Sequence, residues 1–255
     1  MVKTLSSNIN YMMHQIEFGD ENLNFIKNDT LKTIFLHKGN VQIEIKNNSR
    51  VKKIDLVEEE GIILLPNVEF QINKFDCFAV VVQSYKDNKE IIEIVDSNGE
   101  RSEETIDYYR LIKNPKIVNK PWGHEVWISW FKNHHVLKKI YMEKGNKCSL
   151  QYHEEKSETN LIVSGKANVL KDIKLNKNVT KDEALNIFNE IENINDLIIP
   201  MGPGDFWDNQ TYEIHRVFSI DSYTAYEAST PQLDDVIRLK DDNNRISGFI
   251  ESEHQ

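Results

Sequence analysis

Short apolar runs closed by turn residues recur along this chain, and no other feature constrains its fold as much. Val41, Ile43 and Ile45 alternate with Gln42, Glu44 and Lys46, the period of a half-buried strand. His37-Lys38-Gly39-Asn40 just before them reads as a turn. Gly61-Ile62-Ile63-Leu64-Leu65-Pro66 is a second run. Phe75 to Val82 is a third, continuous enough for burial on both faces. Residues 30–85 therefore read as a small antiparallel barrel or sandwich. Residues 86–115 are polar and acidic, with turns at Asp87-Asn88-Lys89 and Ser97-Asn98-Gly99 and a short helix expected around Glu103–Leu111. The second half repeats the rhythm over Val136–Met142, Leu161–Ser164 and Ala167–Leu170. Ile214–Ile220 and Tyr223–Ala228 read as a hairpin turned at Asp221-Ser222. Leu36 to Val41 and Ile162 to Ala167 each set a glycine between alternating strands, a weak sign of internal duplication.

One segment breaks the β rhythm. Thr180-Lys181-Asp182-Glu183 has the form of a capping box, and Ala184, Leu185, Ile187, Phe188 and Ile191 follow at helical spacing. Residues 180–191 are thus a helix inserted between strands, either packed over a barrel edge or closing a pocket as a lid.

Composition excludes several function classes. The 31 Lys and Arg against 41 Asp and Glu leave a net charge of −10, a poor match for a phosphate backbone, so no nucleic-acid partner is expected. Two cysteines, Cys77 and Cys148, are too few for a disulfide framework or a Cys-based zinc site. The first residues lack the apolar core of a secretory signal. No apolar stretch approaches the ~18–20 residues of a membrane span. A cytoplasmic protein with no membrane partner is the expectation.

The chemistry concentrates after Gly145. After five intervening residues comes Gln151, then His153, after four intervening residues Glu158, and after six more Gly165. Gln151 and His153 are two apart, so on a strand they share a face. His215 lies far downstream. An amide oxygen, a carboxylate and two imidazoles make a mixed N/O cage suited to a divalent ion with open positions. A single such histidine is more often structural than a ligand, and glutamine is an uncommon ligand. It is the order of these residues in an all-β frame that carries the signal.

That string resembles the first motif of the cupins, and in particular of type II phosphomannose isomerases, which carry Gln at the first ligand position within Ser-Leu-Gln-x-His. Here the residues are Ser149-Leu150-Gln151-Tyr152-His153. Lys120-Pro121-Trp122-Gly123 resembles the entry segment of that branch. Residues 229–239, with Asp241-Asp242 and Arg245, resemble its C-terminal tail. The resemblance covers about residues 118–246. It implies an all-β protein of two cupin barrels (double-stranded β-helices, or jelly rolls), the C-terminal one carrying the inserted helix. The division expected is a degenerate cupin without metal at residues 1–90, a connection at 91–117, and a metal-binding cupin at 118–255. In the first half Pro66-Asn67-Val68-Glu69-Phe70 resembles the second cupin motif with Phe70 in the histidine's place, and His14 and His37 are expected at the surface. Two departures stand out in the second half. Gln210-Thr211-Tyr212 replaces the usual Pro-x-Gly, so that turn is expected to differ. Lys147 stands where the family has Arg.

By the same resemblance, Gln151, His153, Glu158 and His215 are the ligands of a divalent ion (Zn, Mn, Fe or Ni). The activity implied is aldose–ketose isomerisation of a sugar or sugar phosphate through an enediolate. Lys138 and Arg238 are the catalytic candidates, and Lys147 and Trp122 the substrate-binding ones. His124, Glu154 and Glu155 are further acid–base candidates that the sequence does not rank. The alternatives are a non-catalytic carbohydrate-binding bicupin and a metal-dependent cupin oxygenase. A homodimer is expected from resemblance alone.

Overall fold

A computed structural model of the chain describes residues 2–7, 11–18, 26–47, 50–73, 77–84, 94–95 and 109–251. The chain divides into two compact units: Met1–Lys116 with Trp127–Leu137, and Ile117–Val126 with Lys138–Gln255. A single cut at 117/118 therefore does not separate them, because 127–137 belongs with the first unit.

The first unit contains β1 (Val2–Ser7), β2 (Tyr11–Phe18), β3 (Ile26–Asn28), β4 (Lys32–Asn47), β5 (Arg50–Val57), β6 (Gly61–Leu64), β7 (Val68–Asn73), β8 (Cys77–Ser84), β9 (Ile94–Val95) and β10 (Tyr109–Ile112). Its strands run in the order β1-β2-β8-β4-β6-β10, with β5 and β7 also on β4, and β3 on β7. The turn expected at residues 37–40 is not formed. The strand instead runs on through a bulge between Leu36 and Lys38. Its first part pairs with β6 and β8, and its second with β5 and β7. Gly39, at φ 85°, supplies the left-handed residue that lets one strand serve two sets of partners. The helix expected near Glu103–Leu111 is not found where residues are described, since Tyr109–Ile112 is a strand on β6. Residues 103–108, the turns at 87–89 and 97–99, and Phe75 lie outside the described residues.

The core of this unit is apolar: Ile43, Ile45, Ile54, Leu56, Phe70 and Ile72 pack together. Phe70 thus fills, with hydrocarbon, the position where the second motif would put an imidazole. Asn67 at φ 65° makes the turn before it. His14 and His37 are half-buried rather than fully exposed, against Thr4 (3.1 Å) and the ring of Phe78 (5.5 Å between centroids). The first unit also buries a polar knot. The imidazole of His135 lies 2.8 Å from Ser84 Oγ and 3.1 Å from Thr33 Oγ1, and Thr33 meets Ser129 at 3.0 Å.

Further along are β11 (Lys116–Lys120), β12 (Gly123–Phe131), β13 (Val136–Met142), β14 (Leu150–Tyr152), β15 (Glu158–Ser164), β16 (Ala167–Lys174), α1 (Lys181–Asn189), β17 (Ile198–Met201), β18 (Phe206–Asn209), β19 (Glu213–Ser219), β20 (Tyr223–Ser229) and β21 (Ile237–Lys240). One sheet runs β11-β12-β13-β20-β15-β18 and the other β17-β16-β19-β14-β21. From β13 to β16 and again from β17 to β21, consecutive strands therefore alternate between sheets. β15 and β16 do not pair, and neither do β19 and β20, so the hairpin expected at Asp221-Ser222 is a crossing from one sheet to the other. Gly165, at φ 76°, makes the equivalent crossing after β15, and a Cβ there would meet the Ser222 carbonyl oxygen at 2.2 Å. Trp122, Ile140, Met142, Ile162, Trp207 and Val217 form the apolar part of the interior.

The helix forms as the capping box requires: Thr180 accepts from the Glu183 amide, and Glu183 reaches back to the Thr180 amide. Its Ala184 packs with Leu150, Tyr152 and Ile214. These alternate along their strands with Gln151, His153 and His215, so α1 covers the outer face of its sheet. That is the packing role, not the lid.

Candidate metal centre

Three short strands bring the candidate ligands together. Gln151 on β14 stands directly across from His215 on β19, and directly opposed residues point to one face. His153 follows one pleat later, and Glu158 starts β15 in the other sheet. Ligand atoms of His153, Glu158 and His215 all lie within 4.8 Å of one another, and all three residues are buried. The imidazole centroids are 5.1 Å apart. Nε2 of His153 is 3.3 Å from Glu158 Oε1, and Nε2 of His215 is 3.9 Å from Oε2.

Backbone carbonyls set the tautomers. His153 Nδ1 meets the carbonyl oxygen of Asp235, and His215 Nδ1 meets that of Glu213 at 3.0 Å. A carbonyl only accepts, so each Nδ1 carries the proton and each Nε2 turns a lone pair inward. His153 Nε2 is a buried polar atom without a hydrogen-bond partner. Such an atom is costly unless something occupies its lone pair. The donor set of two neutral imidazoles and one carboxylate fits a divalent ion. Gln151 lines the same group: its Nε2 is 3.4 Å from His215 Nε2, and its Oε1 accepts from Ser149 Oγ. A half-turn of the amide exchanges O and N, so either atom can face the centre.

Glu158 is saturated with donors. Oε1 accepts from the Lys156 ammonium, and Oε2 from Asn209 Nδ2 at 2.9 Å. Burial disfavours its charge, but the Lys156 ammonium prevails and holds the carboxyl well below the usual range. Burial first, and His153 second, push the His215 imidazole down to about 4, so it stays neutral at pH 7. Lys156 also donates to Glu227 Oε1 at 3.1 Å. Burial lowers its pKa, but the two carboxylates outweigh that and raise it.

The other predicted residues divide. Lys138 is buried with its ammonium 3.0 Å from Glu125 Oε2. Arg238 stands across from Gln151, so it shares a face with Gln151 and His215. It is buried, with NH1 donating to the Ile246 carbonyl. Trp122 is a packed core aromatic. Lys147 is not brought to the group: it is half-exposed and paired at 2.7 Å with Asp242, which also holds Arg216. Arg216 follows His215 in β19 and so points to the opposite face. His124 stacks on Tyr141. Glu154 and Glu155 are exposed loop residues whose amides donate to the Asp235 carboxylate. The turn where Pro-x-Gly is missing keeps a left-handed residue, since Tyr212 takes φ 57° and donates its amide to the His153 carbonyl.

Sequence reasoning missed Lys156, Glu227, Asn209 and Asp235. Glu227 was within reach: Tyr223, Ala225 and Glu227 share the inward phase of β20. A lone carboxylate in such a phase is a signal. Lys156 and Asp235 gave none, because loop residues have no period.

Residues 109–201 match the family described as Mannose-6-phosphate isomerase C-terminal. No curated protein matches the sequence. Among solved structures, the oxalate decarboxylase of Lactobacillus farciminis in its formate complex is similar with a TM-score of 0.61 at 10% identity, over 91% of this chain and 80% of that one. A Bacillus subtilis oxalate decarboxylase described with Mn(II) centres gives 0.58 at 11% identity, over 87% and 69%. At such identities the likeness is one of fold.

Proposed function

We propose that the chain is a cupin and, because residues 109–201 match the family described as Mannose-6-phosphate isomerase C-terminal, that it is a metal-dependent aldose–ketose isomerase of a sugar or sugar phosphate. The observation that carries this reading is the inward convergence of His153, Glu158 and His215, with both Nδ1 protons tied to backbone carbonyls. Gln151 completes the ligand set. A divalent ion held there supplies an electrophile that polarises a carbonyl and stabilises charge on neighbouring oxygens. Lys138, buried against Glu125, exchanges protons with the substrate oxygens. Arg238, on the face of Gln151, binds the anionic group of a phosphorylated substrate.

The test begins with the metal content of the purified protein. The protein is then incubated with a panel of aldose phosphates and their neutral sugars in D2O, and exchange at C2 is followed by NMR. Metal-dependent exchange with ketose formation is the expected result. Binding of the sugar without exchange would replace this reading with a carbohydrate-binding bicupin, and oxygen consumption would replace it with an oxygenase. His215→Ala should lower metal occupancy at least tenfold.

A further inference from the structure

We propose that Glu227 is the group that carries the proton between the two carbons of the substrate. This deepens the isomerase reading of the same site and rests on it.

Glu227 lies on β20, the strand that β15 pairs with and β13 borders. It stands across from Asn160, while Glu158 stands across from Ser229. Glu227 and Glu158 therefore share the inner face, one pleat apart. A single ammonium, that of Lys156, joins the two carboxylates. Glu227 is nine-tenths buried. Glu158 already neutralises Lys156, so charge pairing alone does not account for a second interior carboxylate at this expense.

The neighbours are unsuited to taking a proton from carbon. Lys156 spans two carboxylates with its ammonium. Lys138 is engaged by Glu125. Glu158 is itself a candidate ligand, and both of its oxygens already accept, one from Lys156 and one from Asn209. Glu227 differs: burial and the nearby charge of Glu158 raise its pKa, against the pull of Lys156 and Lys138, with Glu125 adding to the rise. Tyr223, on the same face, stays protonated because burial raises its pKa well above the usual value. A carboxylate shifted upward in this way is the stronger base once ionised.

The step balances within the site. The Glu227 carboxylate takes the proton from the carbon beside the carbonyl. The C–H pair becomes the new C=C bond, and the carbonyl pair moves to its oxygen, which takes a proton from Lys138. The neighbouring hydroxyl then returns a proton to Lys138 as its oxygen forms the new carbonyl. The C=C pair takes the proton back from Glu227 at the former carbonyl carbon. No oxidant or second substrate is consumed.

The test uses the full, metal-loaded chain with aldose phosphates deuterated at C2. Wild type should move part of the label from C2 to C1 of the ketose, as transfer by one base requires. Glu227→Gln should lower kcat by ~10²–10⁴ with metal content and KM unchanged. Glu227→Asp should keep measurable activity with the acid limb of its pH profile displaced. Glu227→Gln turning over at the wild-type rate would overturn this assignment and leave the isomerase standing, as would an unshifted pH profile in Glu227→Asp. Wild-type protein that exchanges no C2 proton on the whole panel would overturn both.

Discussion

Asp235 is engaged twice, through its backbone and through its side chain. Its carbonyl fixes the His153 tautomer, while its carboxylate accepts the amides of Glu154, Glu155 and Lys156 at 3.1, 2.6 and 2.7 Å. Asp235→Ala should leave three loop amides without their acceptor. Metal affinity, measured by chelator competition, should fall ~10- to 100-fold, as for other outer partners of a ligand. The buried His135 gives a prediction of a different kind. Burial, with His134 adding to it, pushes its pKa from 6.5 down to about 3. Above pH 6.5 the imidazole is neutral in both the folded and the unfolded chain. Between 6.5 and about 3 only the unfolded chain takes the proton, so stability falls as pH falls, by at most about 1.4 kcal/mol per pH unit. His135→Gln should flatten that slope, as read from urea midpoints at pH 7 and pH 4.5. At this scale the sequence showed the candidate ligands and little of what holds them. Ligand types and spacings are local, whereas the carbonyl of Asp235 reaches His153 only through the fold.

The inserted helix was legible because both of its signals are local: a capping box, then apolar residues at helical spacing. Thr180→Ala removes the cap and should cost about 1 kcal/mol, seen as a lower denaturation midpoint with metal binding intact. Strand pairing was less legible. Alternation along β19 and β20 looks the same whether the strands pair with each other or lie in opposite sheets, so a crossing was read as a hairpin. At 37–40 a glycine in the left-handed region was read as a turn, although a bulged strand requires the same conformation. Gly165→Val combines that backbone demand with the 2.2 Å approach of the Ser222 carbonyl. It should destabilise the second unit by ~2 kcal/mol or more, measured by thermal melting.

For the whole molecule, the all-β class and its two-barrel form followed from rhythm and motif, while the division between units did not. No composition shift marks residues 127–137, because their membership in the first unit is decided by long-range packing: β9 pairs with Trp130 and Phe131, and Thr33 and Ser84 hold His135. A fragment of residues 118–255 should therefore expose buried Phe131 and His135, and give a poorly dispersed amide spectrum where the full chain gives a dispersed one. Divalent metal should raise the melting temperature of the full chain, since a ligand at about 100 times its Kd adds roughly 2.7 kcal/mol. The same lending of residues orders events during synthesis. A ribosome that has translated the first half has released a barrel still missing strands, and the barrel closes only after residue 137 has cleared the exit tunnel. By then the opening strands of the second unit are already made, so the two units mature as overlapping steps, not as beads finished one after the other.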